Sequence, residues 1–137
     1  MPETEAPPTG TAHGPGRVLV AVYGLFALAA GARAGVQIAT RFTDAPIAYL
    51  LSAFAALVYV GATVALARSG YRWWLVALLC CSIEVVGVLT VGTASLLIPE
   101  EFPDATVWSD YGAGYGFVPL VLPVLGLLWL WKARPER

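Results

Sequence analysis

One carboxylate stands out in this sequence. Glu84 is the single charge between Trp73 and Ile98, a run of 26 residues. An acid in so apolar a run can exchange a proton, hold a cation or pair with a base. In the middle of a bilayer-spanning helix it costs about 2.5 to 3.5 kcal/mol unless something offsets it. A base stands in a second apolar run, Val18 to Ala39, which is interrupted only by Arg33 and Gln37. At the helical rise, Glu84 lies about 17 Å from Trp73 and Arg33 about 22 Å from Val18. The difference of roughly 6 Å is within reach of an arginine side chain. Glu84 and Arg33 are therefore expected to form an intramembrane ion pair or to share a water-filled pocket. Three roles stay open: an ion pair that fixes helix packing, a carboxyl that handles protons or cations, and a lone uncharged Glu84 with Arg33 reaching for the headgroups.

Around Arg33 the spacing of Gly31 and Gly35 is that of small residues that let a second helix approach closely, and Gly24 extends the same face. Gln37 and Arg41 follow Arg33 at i+4 and i+8, which makes a polar stripe along one side of the helix. The stripe reads as a packing seam ending in an interfacial anchor, or as a path for an ion or substrate. Near Glu84, Cys80 and Cys81 stand one turn before and Gly87 one turn after. Adjacent cysteines cannot staple a fold and lack the C-x-x-C spacing of a redox helix. The one histidine, His13, lies in the N-terminal tail, so no metal-ligand set assembles, and the thiols read as buried structural groups. No G-x-S-x-G, H-E-x-x-H or Walker sequence occurs, and the glycine-rich run 112–116 follows no strand. No enzyme activity, cofactor, metal or nucleotide is expected.

The elements that must position these residues follow from composition. The chain has 137 residues, 58% hydrophobic and 12% charged, with a mean hydropathy of +0.73. A soluble domain would hold about a quarter charged residues, so this surplus of apolar surface calls for lipid. The net charge of -1 offers no basic field for nucleic acid. A bilayer needs roughly 20 apolar residues per helix, and spans can be drawn at residues 18–39, 46–67, 73–98 and 115–132. The last reaches spanning length only by including Tyr115, Gly116 and Lys132 around a 15-residue apolar core from Phe117 to Trp131, in which Pro119 and Pro123 share a face. No period-2 alternation suggests a barrel. Helices satisfy their backbone groups within the segment, so the expected fold is an all-α transmembrane four-helix bundle. Residues 1–16 read as a disordered tail, 17–132 as the membrane domain and 133–137 as a cytoplasmic tail; a cleaved signal peptide is not expected.

Basic residues favour the cytoplasmic side. Arg17, Arg68, Arg72, Lys132, Arg134 and Arg137 fall on the side of the termini, against Arg41 alone on the other. Both termini are thus expected in the cytoplasm of a cell-membrane protein. The connection 99–116 then faces outward, with Glu100, Glu101, Asp104 and Asp110 beside Phe102, Trp108, Tyr111 and Tyr115. Asp104 could cap a short interfacial helix with Val107, Trp108 and Tyr111 on one face at headgroup level and Gly112 ending it. The other reading is a surface that gathers cations or docks a partner.

The four apolar runs, the lone Glu84 in the third and the acidic aromatic connection together resemble small uncharacterised four-span integral membrane proteins of high-GC bacteria, over about residues 17–132. That resemblance implies the fold and supplies no activity. Small multidrug exporters also have four short helices, but with their carboxylate on the first. Two functions compete, the first of them the leading expectation and the second its alternative. One is an accessory or scaffold subunit packing in a membrane complex or homo-oligomer, for instance through the Gly31 and Gly35 face. The other is a small proton- or cation-coupled transporter or channel that uses Glu84.

Overall fold

In a computed structural model that describes residues 14–103 and 105–134, the described residues are all-helical, with no strand. Helix α1 runs Pro15–Arg41, α2 Pro46–Leu66, α3 Tyr71–Leu97 and α4 Val118–Lys132. Proline at the first turn starts α1, α2 and α4, where the missing N–H has no helical partner to lose. Between α1 and α2 a single 3-10 turn, Phe42–Asp44, reverses the chain. Gly70, at φ 106°, opens α3 in a conformation that favours glycine. Pro99 begins a second 3-10 turn, Pro99–Glu101, just beyond α3.

Helices α1, α2 and α3 are each long and apolar enough to cross a bilayer, and α4 counts as a fourth only together with the turn before it. Large apolar side chains stand exposed along all four, from Leu28 at 75% and Leu57 at 71% to Leu79 and Leu128. A water-facing surface of this kind would aggregate, whereas a lipid-facing one is ordinary, and the helices fit a multi-pass membrane protein.

The helices pack in chain order, α1 on α2, α2 on α3 and α3 on α4, with α1 meeting α4 at few positions. Helix α2 buries a face of small residues, Ala48, Ser52, Ala55, Ala56, Ala62 and Ala65, between which Tyr49, Tyr59 and Leu66 fill the gaps. Alanine at these positions lets the neighbouring backbones come close. At the far end of the bundle the Trp74 indole Nε1 donates to the Leu130 carbonyl at 2.7 Å, which ties the start of α3 to the end of α4.

The connection from 105 to 117 departs from the expected interfacial helix. Thr106, Val107, Trp108 and Ser109 are buried, and a 3-10 turn at Ser109–Tyr115 meets α4 at a bend of 97°. The segment returns into the bundle instead of lying on its surface. The physical reason lies on α3: Gly87 leaves a slot for the Trp108 ring and Gly92 one for Tyr111. Asp110, Tyr111 and Phe117 all take positive φ (52°, 60° and 61°), strained for residues with a side chain. The expected cap Asp104, the tail residues 1–13 and residues 135–137 lie outside the described residues.

Candidate functional site

Glu84, on α3, is 0% exposed. The helices around it deliver two tyrosines and two thiols. Tyr23 comes from α1 and Tyr59 from α2, both wholly buried, with ring centroids 6.0 Å apart. One turn back on α3, Cys81 Sγ lies 3.4 Å from the Tyr23 hydroxyl. Opposite Cys81, α4 presents Gly126, where an added Cβ would fall 2.8 Å from that sulfur and 3.5 Å from the Tyr23 hydroxyl oxygen. Only glycine lets α4 come this close. Cys80 turns toward Gly61 of α2 in the same way, at 3.0 Å from the position of an added Cβ. Tyr23, Tyr59 and both thiols lie within electrostatic reach of the Glu84 carboxyl.

From the side of the returning segment, Trp108 covers the next turn of α3. Its ring lies against Gly87 and edge-on to Phe54, with centroids 6.3 Å apart. Both carboxyl oxygens of Glu84, the Tyr59 hydroxyl and Trp108 Nε1 are buried without a close hydrogen-bond partner among the described residues, the Tyr23 hydroxyl approaching the carboxyl and Trp108 the Tyr59 hydroxyl at longer range. In a helix packed among lipids such groups cost several kcal/mol each. A donor-rich lining around an unpartnered carboxyl is thus the chemical character of the site.

The expected pairing with Arg33 does not form. Arg33 Nη1 donates to the Tyr115 hydroxyl at 2.9 Å, on an exposed flank. The helices are not flush, so distances counted from the ends of two apolar runs do not measure relative depth. It is Tyr23 that stands level with the carboxyl, and Arg33 is ten residues, about 15 Å, farther along α1. Arg33, Gln37 and Arg41 line one groove with Ala32 and Val36, about 420 Å³ in volume. The groove runs along the other half of α1, away from Glu84.

The four glycines divide. Gly24 faces α2, with Thr63 Cγ2 at 3.6 Å from an added Cβ. Gly87 admits Trp108, not a helix. Gly31 and Gly35 meet nothing within 4 Å and border an apolar groove of about 330 Å³ shared with α2 residues Ala53, Ala56, Leu57 and Val60.

In the connection, Glu100, Glu101 and Asp110 are exposed, as a surface would have them, but Trp108 is 1% exposed and belongs to the interior. Tyr111 is half-buried, its hydroxyl 2.7 Å from Thr93 Oγ1. The Asp110 N–H donates to Ser95 Oγ at 2.9 Å, and that hydroxyl donates to the Gly92 carbonyl at 2.8 Å. Sequence reasoning missed Tyr23, Tyr59, Gly92 and Gly126. The available signal was polar or small residues inside apolar runs. No protein-family model matches the chain, and no curated protein or solved structure does so either.

Proposed function

We propose that the chain is a cell-membrane protein, a four-helix transmembrane bundle with both termini cytoplasmic, and that it is a small proton-coupled transporter or channel in which Glu84 carries the proton. The observation behind this reading is the enclosed carboxyl itself. With Arg33 bonded to Tyr115, no buried cation among the described residues offsets Glu84, which speaks against an ion pair that serves packing. A residue kept only for packing would be served better by leucine or glutamine at that position. The surrounding hydroxyls and thiols can donate to the carboxylate once its proton leaves. The cover over the site is a segment of irregular, strained backbone, of the kind that in membrane proteins lines paths or moves. Nothing here requires a covalent step, and the proposed work is binding and movement of a proton.

A second reading, an accessory or scaffold subunit in a membrane complex or homo-oligomer, draws on the open groove at Gly31 and Gly35. One comparison separates the two. Purified wild type and Glu84→Gln are measured for oligomeric state by light scattering and for protons released per chain after a pH jump in weak buffer. On the proton reading the variant keeps its abundance and oligomeric state and loses one dissociable proton. Unchanged proton release, or a variant that fails to assemble, overturns that reading and leaves the scaffold.

A further inference from the structure

We infer that the groove between Arg33 and Arg41 on α1 seats the phosphate of an anionic phospholipid headgroup. Two guanidinium groups line this one groove of about 420 Å³, and neither forms an ion pair with a carboxylate among the described residues. The Tyr115 hydroxyl accepts from Arg33 Nη1 at 2.9 Å, which holds that side chain in place and leaves its other donors available. Between the arginines, Gln37 is only 4% exposed and its Oε1 has no partner among the described residues, so nothing there holds the amide in one orientation and a turn about its last bond brings the NH2 donor to the phosphate side.

The position argues for a lipid over a free anion. Arg41 is the last residue of α1, and Arg33 lies eight residues, about 12 Å, nearer the middle of the span. A groove placed so runs from headgroup level into the acyl region. Ala32 and Val36 complete its lining, and they suit the glycerol and first methylenes of a lipid, which inorganic phosphate lacks. Guanidinium groups match phosphate oxygens in geometry as well as in charge, so a net anionic headgroup is favoured over a zwitterionic one.

The test uses the full chain in nanodiscs of mixed phosphatidylglycerol and phosphatidylcholine, released into mild detergent and weighed by native mass spectrometry. Wild type is expected to retain phosphatidylglycerol over phosphatidylcholine. Arg41→Gln, which removes an exposed guanidinium that takes part in no hydrogen bond among the described residues, is expected to keep its helicity and to weaken retention about fivefold to tenfold. Arg33→Gln is expected to do the same, and Arg72→Gln, at an exposed position at the other end of the bundle, is expected to leave retention unchanged. Equal retention by Arg41→Gln and wild type overturns the site. So does an equal loss in Arg72→Gln, which would mean diffuse charge attraction. Displacement of the lipid by inorganic phosphate would assign the groove to a free anion instead.

Discussion

Replacing Gly87 by alanine tests whether the returning segment is held in the bundle as described. An added Cβ would stand 2.6, 2.7 and 2.9 Å from Cζ3, Cη2 and Cε3 of Trp108. Ordinary carbon contacts are about 3.5 to 4.0 Å, so the whole six-membered ring must retreat by roughly 1 Å. It is 1% exposed and flanked by Phe54, and it cannot retreat without moving its neighbours. Overpacking of this kind costs about 1 to 3 kcal/mol. Alanine in a helix returns up to about 1 kcal/mol over glycine. With the full return, the expected net loss is therefore up to about 2 kcal/mol, read from the midpoint of unfolding in mixed micelles of increasing SDS fraction, followed by circular dichroism. The control is the same substitution in a Trp108→Leu background, where the ring is gone and alanine at 87 should be neutral or mildly stabilising. A coupling of about 2 kcal/mol between the two positions is the signature of direct contact. An equal effect of Gly87→Ala in both backgrounds, or a gain in wild type, would refute the slot.

Two further outcomes follow from other parts of the molecule. Ser95→Ala removes the acceptor of the Asp110 N–H, in a residue already strained at φ 52°, and should destabilise by about 1 to 3 kcal/mol; hydrogen exchange should rise in 106–115 well before it rises in α3, and a uniform rise would count against the anchoring role. Reporter fusions at each terminus should both score as cytoplasmic, from the excess of arginine and lysine on that side, and one terminus scoring outside would invert the assignment of the faces.

The three long helices were legible because hydropathy and breakers speak locally. Residues 18–39, 46–67 and 73–98 correspond to Pro15–Arg41, Pro46–Leu66 and Tyr71–Leu97, with ends displaced by no more than three residues. Glu84 was legible as the odd residue, and Arg33, Gln37 and Arg41 as one groove, because both follow from helical period alone. The partner of Glu84 was not. Which side chain stands level with it depends on the relative shift of α1 and α3, and that shift is set by contacts such as Gly126 against Cys81 and Tyr23. No feature of a single helix encodes it.

The returning segment was hidden for a different reason: acids mixed with aromatics look the same whether the rings lie in headgroups or in slots on α3. A physical constraint nonetheless pointed inward. The 15 residues of α4 rise about 22 Å, short of the roughly 30 Å of a hydrocarbon core. If α4 starts near one face, another part of the chain must fill the remaining depth beside α3. Lengthening the span backward through Tyr115 and Gly116 supposes that helix continues there, yet Gly116 and Phe117 take left-handed conformations that end it. Non-helical backbone at that depth is tolerated only where protein surrounds it and supplies its hydrogen bonds. Ser95 gives the Asp110 N–H an acceptor, Thr93 bonds the Tyr111 hydroxyl, and Gly87 and Gly92 make room for the rings. The small and hydroxylated residues along the second half of α3, Gly87 to Ser95, are thus the complement of the segment that leads into a short fourth helix.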